Sequence, residues 1–164
     1  MISYRMHASP LGSLLLAASE QGLCGLYFEE HRHFRGAEGW VRVDGHPHLQ
    51  QAGEQLDEYF SGKRRTFDLL LDLAGTPFQQ KVWAQLPQVS YGTTASYMLH
   101  ARAVGADHAV RAVGTAIGRN PVSIIVPCHR ILASNGALAG YAGGLERKRY
   151  LLALEAGGAI GDGA

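Results

Sequence analysis

Cysteine is scarce in this chain, and its two copies, Cys24 and Cys128, share neither a repeated spacing nor similar neighbours. A disulfide framework is therefore not expected, and free thiols fit a reducing compartment. Paired cysteines at zinc-binding spacing are also missing, so the four histidines of residues 31–48 are interpreted as a solvated loop rather than as metal ligands. We expect no metal site and no cofactor, and we interpret Cys24 as structural.

Long apolar runs are missing as well. No stretch of the sequence approaches the length that spans a membrane, and the N-terminus lacks the pattern of a cleaved leader. We therefore expect no membrane association and a cytoplasmic location. We also expect a monomer. A length of 164 residues suits one domain or two small ones packed together.

Strong net charge is absent too, but the charges are unevenly distributed. Residues 1–75 carry seven Lys/Arg against ten Asp/Glu, a net −3, whereas residues 76–164 carry eight against four, a net +4. The second half is therefore the better candidate for contact with a polyanion. A mildly basic half is also what a solvated surface gives, so charge alone does not decide between the two.

The first half, residues 1–75, has the pattern of a small antiparallel sheet with one helix. Alternating apolar residues and turn signals predict strands through residue 30. Residues 31–46 lack periodicity and are expected to form a loop. Helical spacing predicts an amphipathic helix over roughly 47–61, and alternation over 67–73 predicts a last strand.

The second half, residues 76–164, is predicted to be helical. The run from Thr76 to Gln79 combines an N-cap, a first-turn proline and a glutamine that bonds back to the cap. A second helix is predicted from about Ser96 to Val104, and Asp107 is expected to cap a third. Two short helices joined by a turn that contains glycine have the outline of a helix-turn-helix, although plain packing gives the same outline.

The predicted third helix has one long cation among small residues. Arg111 is surrounded by Ala109, Ala112, Gly114 and Ala116. Small side chains allow close approach to another surface, and one projecting cation suits a DNA minor groove better than a major groove. Arg111, Ala112 and Gly114 are therefore candidate DNA-binding residues. The cluster over 147–149 is expected to face solvent or phosphates.

An apolar segment, residues 122–126, leads through Pro127 into Cys128 and His129. Pro127 favours an extended residue before it and fixes its own φ, so Cys128 is expected at the rigid end of a buried segment. With a carboxylate such as Glu155, His129 could draw off the thiol proton directly or through a water. The alternative is that Cys128 is a small buried hydrophobe with a satisfied polar neighbour.

The run Ile125-Val126-Pro127-Cys128-His129-Arg130-Ile131 is similar to the active-site signature of the O6-alkylguanine-DNA alkyltransferases. Other motifs stand in that family's order and approximate spacing: Thr76 to Trp83, Tyr91-Gly92, Ser96-Tyr97, Ala109 to Gly114, Gly118 to Pro121 and Gly140 to Arg149. The resemblance covers about residues 76 to 157, and the first half is similar only in its plan of strands and a helix. Departures that bear on the packing of the second helix and on the breadth of the pocket stand at Ser90, Ala95, Met98 and His100.

The resemblance implies a fold and an activity. The fold would be α+β, with a ribonuclease H-like unit of sheet and helix over 1–75 and a helical unit with a helix-turn-helix over 76–164. The activity would be repair of O6-alkylguanine in double-stranded DNA, by irreversible transfer of the alkyl group to Cys128, once per protein molecule. O4-alkylthymine stays open as a second substrate. A buried nucleophile requires the nucleotide to be flipped out of the stack.

The resemblance also implies catalytic roles. Cys128 would be the nucleophile, His129 its base through a water, and Glu155 the group that orients the histidine. Asn120 would fix the turn before the active-site segment, and Tyr97 would help to rotate the nucleotide and would hydrogen-bond the base.

The remaining implied roles concern the duplex and the pocket. Arg111 would fill the gap that the flipped nucleotide leaves, on a helix whose close approach depends on Ala112 and Gly114. The pocket would be lined by Tyr141, Ala142, Gly143 and the main chain of Ile131.

Two other functions stay open on the sequence. A thiol hydrolase with Cys128 and His129 would turn over a small ester or peptide repeatedly. A non-catalytic lesion-binding protein of the alkyltransferase-like class is less consistent, because its members replace the nucleophile.

Overall fold

Strands from the first quarter of the chain form one sheet in the order β3-β2-β1-β4. The computed structural model describes residues 1–157. The strands are β1 (Ser3–Ser9), β2 (Gly12–Ala18), β3 (Leu23–Tyr27) and β4 (Val41–Arg42). β1, β2 and β3 pair antiparallel, as predicted, whereas β4 pairs parallel to β1. The expected loop over 31–46 therefore contains one short strand. Its two paired residues are too few to form a recognisable pattern in the sequence.

Helix α1 (Pro47–Phe60) covers one side of this sheet. Its buried face includes Leu49, Leu56 and Tyr59, which recur at helical spacing. Pro47 stands in the first turn, where its missing N–H costs nothing. The predicted helix over 47–61 is therefore confirmed to within one residue at its end.

The predicted strand over 67–73 is wrong. Among the described residues this segment makes only a single bridge, in which Leu23 N donates to Leu70 O (2.9 Å) and Asp72 N donates to Leu23 O (2.8 Å). Its alternation has a different cause, because Phe67, Leu69 and Leu73 pack against the core from an irregular extended segment.

Helices dominate the second half, as predicted. They are α2 (Pro77–Gln85), α3 (Tyr97–Ala103), α4 (Val110–Gly118) and α5 (Leu145–Glu155). The start of α2 is a complete capping box, in which Thr76 and Gln79 each accept a hydrogen bond from the other's backbone N–H. The expected cap of α4 at Asp107 is wrong: the N-cap is Ala109, which offers no side-chain hydrogen bond. Two further short strands, β5 (Ala95–Ser96) and β6 (Ile131–Leu132), pair in parallel.

Helix α2 supports the pair α3–α4 through two buried hydrogen bonds. Trp83 Nε1 donates to Ala116 O over 2.8 Å, and His100 Nε2 lies 3.0 Å from Val82 O. His100 is buried, and burial lowers its pKa, so it donates as a neutral ring. The departure from the family pattern at His100 is thus a structural link between α3 and α2.

The two halves share one apolar core. At their junction Leu26 of β3 donates its N–H to Pro121 O over 2.9 Å and bridges to Val122. The sheet of the first half therefore supports the segment that leads to Cys128. The architecture is α+β, as expected. In the described part of the chain no helix is both long enough and apolar enough to cross a membrane.

Candidate active site

Cys128 begins one turn of 3-10 helix at the end of a fully buried segment. Tight turns shape this segment, since Val126 N donates to Val122 O (3.0 Å) and Cys128 N donates to Val126 O (2.8 Å). Ile124 has a φ of 72°, a strained value for a β-branched residue. The thiol is therefore held by a constrained backbone, and only 7% of Cys128 is exposed.

Asn120 ties this turn together. Its Nδ2 donates to Val126 O (2.8 Å) and contacts Cys128 Sγ (3.2 Å), while its Oδ1 accepts from Val122 N (3.0 Å). One buried amide thus fixes both the start and the end of the segment and provides a donor to the sulfur.

His129 is completely buried and pairs with Glu155. The distance between Nε2 and Oε2 is 2.7 Å. Because the carboxylate accepts, the proton of the neutral ring is assigned to Nε2. The other nitrogen, Nδ1, is buried and has no hydrogen-bond partner among the described residues. His129 therefore keeps a free basic nitrogen next to the cysteine in the chain.

Two residues that sequence reasoning missed hold the same carboxylate. Arg130 donates to Glu155 through Nε (2.7 Å) and Nη2 (3.0 Å), and Tyr59 of α1 donates its hydroxyl over 2.6 Å. Burial alone would raise the pKa of Glu155, but hydrogen bonds from His129, Arg130 and Tyr59 outweigh it and lower the pKa to about 2. The position of Arg130 directly after His129 in the sequence could have indicated that it belongs to the site. No feature of the sequence indicated this for Tyr59.

The expected exposed cluster over 147–149 is wrong for two of its members. Lys148 is fully buried, and its Nζ donates to Ile131 O (2.7 Å), Ala139 O (3.2 Å) and Gly140 O (3.4 Å). Arg147 is half-buried against Leu11 O, Gly143 O and the Phe28 ring. Only Arg149 is exposed. The signal for Lys148 was its spacing from Leu151 and Glu155, which share its side of α5.

The electrostatics keep the cysteine protonated at rest. Burial raises the pKa of Cys128, and the Asn120 hydrogen bond and the Lys148 charge only partly oppose that effect. A buried thiol of this kind needs a base before it can act as a nucleophile. His129 is suited to that task because burial lowers its pKa and leaves it neutral.

Cys128 opens onto a cavity of about 730 Å³. Candidate residues on its wall are Tyr97, Arg111, Gly114, Asn120, Tyr141 and Ala142. Arg32, His33 and Ser123 also line it and were not expected to. Ala112, Ile131 and Gly143 lie outside the lining. The N–H of Ile131 donates to Cys128 O, and its carbonyl accepts from Lys148 Nζ. At Gly143, a side chain would overlap the ring of Phe28.

The cavity wall also offers buried polar groups. Ser123 Oγ and Tyr141 OH have no hydrogen-bond partner within residues 1–157. Unsatisfied buried donors and acceptors are costly unless a ligand or water meets them. Ser123 and Tyr141 are therefore candidate contacts for a ligand in the cavity.

Helix α4 borders the same cavity with its exposed side. Arg111 and Ala112 are exposed, whereas Val113 and Ile117 face the core. Gly114 faces the ring of Tyr97, whose Cδ1 would lie at an ordinary contact distance of 3.6 Å from a Cβ added there. The small residues of α4 and the aromatic start of α3 therefore form one surface beside the opening.

Sequence comparison assigns both halves of the chain to one family. The profile described as "6-O-methylguanine DNA methyltransferase, DNA binding domain" matches residues 77–157, and its "ribonuclease-like domain" matches residues 2–73. The chain belongs to the O6-alkylguanine-DNA alkyltransferase family. The resemblance read from the sequence motifs is thereby confirmed.

Relatives of this alkyltransferase family cover nearly the whole chain. A methylated-DNA-protein-cysteine methyltransferase of Mycolicibacterium paratuberculosis is 44% identical over 94% of this chain and 93% of its own. The constitutive enzyme of Bacillus subtilis is also 44% identical, over 93% and 94%. The crystal structure of Mycobacterium tuberculosis OGT in complex with DNA matches with a TM-score of 0.88 at 45% identity, over 94% and 92%.

Proposed function

We propose that this chain repairs O6-alkylguanine in double-stranded DNA by transferring the alkyl group to its own Cys128. The observation that carries the proposal is the position of Cys128 on the wall of a cavity of about 730 Å³ beside helix α4, which has room for a flipped nucleotide. Its family membership and its DNA-bound relative support the same activity. O4-alkylthymine is a candidate second substrate.

The reaction begins with the buried thiol. His129 Nδ1 takes the proton of Cys128 through a bridging water, and Glu155 stabilises the resulting imidazolium. The thiolate attacks the alkyl carbon in line, so that the C–S bond forms as the bond between that carbon and guanine O6 breaks. The electron pair goes to the guanine, and the Tyr97 hydroxyl donates a hydrogen bond or proton to it. The thioether product is stable, so each molecule acts once.

Asn120 has a positioning role in this scheme. It holds the turn and directs Nδ2 at the sulfur, so the thiolate forms in a fixed place with one donor already present.

Access to the cavity requires a flipped nucleotide. Arg111 projects from the exposed side of α4 and enters the gap in the stack, while Ala112 and Gly114 let the helix approach the minor groove closely. Tyr97 turns the nucleotide toward the opening. Tyr141 and Ala142 contact the base, and Gly143 and Ile131 support that wall through their backbone.

The same proposal extends to organisation and location. We take residues 1–75 and 76–164 as the two structural units and the monomer as the acting form. A free nucleophilic thiol suits the reducing cytoplasm.

Stoichiometry tests the proposal. An excess of duplex containing O6-methylguanine is incubated with the protein, and restored guanine is measured by chromatography of the nucleosides. One guanine per protein molecule is expected, with none from Cys128→Ala and the full amount from Cys24→Ala. Continued release of guanine would contradict a single transfer per molecule, and binding without repair would indicate a lesion-binding protein.

A further inference from the structure

Tyr59 connects the first half of the chain to the reacting groups. It lies on helix α1, and its hydroxyl donates to Glu155 Oε2 over 2.6 Å. The same oxygen accepts from His129 Nε2 over 2.7 Å. One carboxylate oxygen thus joins a tyrosine of the sheet-and-helix unit to the histidine beside Cys128.

The hydroxyl of Tyr59 is restricted to donating. Tyr59 is fully buried, and burial together with the Glu155 charge raises its pKa far above its ordinary value. Its ring is fixed among Phe60, Phe67 and Tyr91, with ring centroids 5.3, 5.4 and 6.2 Å away. A rigid donor is therefore aimed at Glu155 from outside the helical unit.

The geometry points to Tyr59 as a positioning residue for alkyl transfer, and this inference rests on the proposed function. Its hydroxyl fixes Glu155 Oε2 in the place where that oxygen accepts the hydrogen bond from His129 Nε2–H. Because this hydrogen bond keeps the proton on Nε2, Nδ1 remains available as the base. Without the Tyr59 hydroxyl, Oε2 keeps only the Arg130 and His129 donors, and the carboxylate is free to turn toward the guanidinium. Through the Tyr59 hydroxyl, a single oxygen atom, the sheet-and-helix unit thus contributes to the chemistry.

Tyr59→Phe removes this hydroxyl and keeps the ring. Tyr91→Phe is the matched control, because Tyr91 packs against the same ring and its hydroxyl makes no hydrogen bond within the described residues. The free base O6-benzylguanine is the substrate, since it needs no flipping. Single-turnover rates should fall roughly tenfold for Tyr59→Phe, the order expected when one hydrogen bond to a charged group is lost, and should stay unchanged for Tyr91→Phe.

A double-mutant cycle with Glu155→Gln separates positioning from general packing. If Tyr59 acts through Glu155, Tyr59→Phe should slow the Glu155→Gln variant no further. The imidazole ¹⁵N signals of His129 provide a second readout that does not depend on that variant folding. They should show one protonated and one bare nitrogen in the parent protein and a change on Tyr59→Phe.

The outcomes are distinct. An unchanged rate for Tyr59→Phe, an additive loss in the cycle, or identical His129 signals would each overturn the role of Tyr59. Failure of the parent protein to react with O6-benzylguanine and with alkylated duplex would overturn the proposed function instead.

Discussion

The side-chain amide of Asn120 lies 3.2 Å from the sulfur of Cys128 and also binds the backbone at Val126 and Val122. Asn120→Ala leaves the buried Val122 N–H without its acceptor and removes one of the two donors to Val126 O, so the free energy of unfolding should fall by about 2 kcal/mol. Urea unfolding measures the loss. Asn135→Ala on an exposed turn is the control, and an effect no larger than that of the control would contradict the assignment.

Arg111→Ala should separate nucleotide flipping from phosphate attraction. A side chain that fills the gap offsets part of the few kcal/mol lost in unstacking. The variant should therefore be slow on alkylated duplex even at saturating protein, yet react normally with free O6-benzylguanine. Arg102→Ala, an exposed cation on α3, is the control. Recovery of the Arg111→Ala rate at saturation, or an equal loss on the free base, would remove Arg111 from the flipping step.

Lys148→Met should make the Cys128 thiol harder to ionise. The ammonium lowers the pKa of Cys128, so its removal should raise that pKa and move the pH–rate profile of alkylation to higher pH. Iodoacetamide labelling of Cys128 in a Cys24→Ser background measures it. Arg149→Met changes a neighbouring exposed cation and should leave the profile in place. Superimposable profiles for Lys148→Met and the parent protein would contradict the electrostatic role.

Binding to DNA should show little sequence preference and should depend strongly on the salt concentration. The charge of residues 76–164 is +4, and α4 offers one long cation rather than several base readers. Affinities for unrelated duplexes at several salt concentrations check this. A footprint restricted to one operator-like sequence would favour a transcription factor built on the same helices.

Glu155 should make the fold sensitive to acid. Its folded pKa of about 2 lies below its ordinary 4.5, so the stabilisation is complete above the ordinary value and is lost as pH falls toward the folded one. The full effect is about 3 kcal/mol. Urea unfolding between about pH 6 and pH 3 should show a smaller decline for Glu155→Gln than for the parent protein or for the exposed Glu146→Gln. Equal declines in all three would contradict the depressed pKa.

Local chemistry made several features readable from the sequence. Thr76 and Gln79 specify a helix start by themselves, and the motif around Cys128 predicts the nucleophile and its histidine. Long-range contacts were not readable. Tyr59 reaches Glu155 across 96 positions of the chain, and no local pattern indicated that contact. Lys148 was interpreted as a surface cation: its spacing from Leu151 and Glu155 indicated a buried side of α5, but its partners are backbone carbonyls, which no residue type in the sequence identifies. The extended segment over 67–73 alternates like a strand but pairs with β3 only at Leu23.

Transfer of the alkyl group to Cys128 can be measured as intact-protein mass after mixing with a duplex that contains O6-methylguanine. A gain of one methylene mass per molecule is expected, located on the peptide that carries Cys128, with no further gain as substrate is added. An unchanged mass while the duplex is repaired, a second increment, or a label on Cys24 would contradict it.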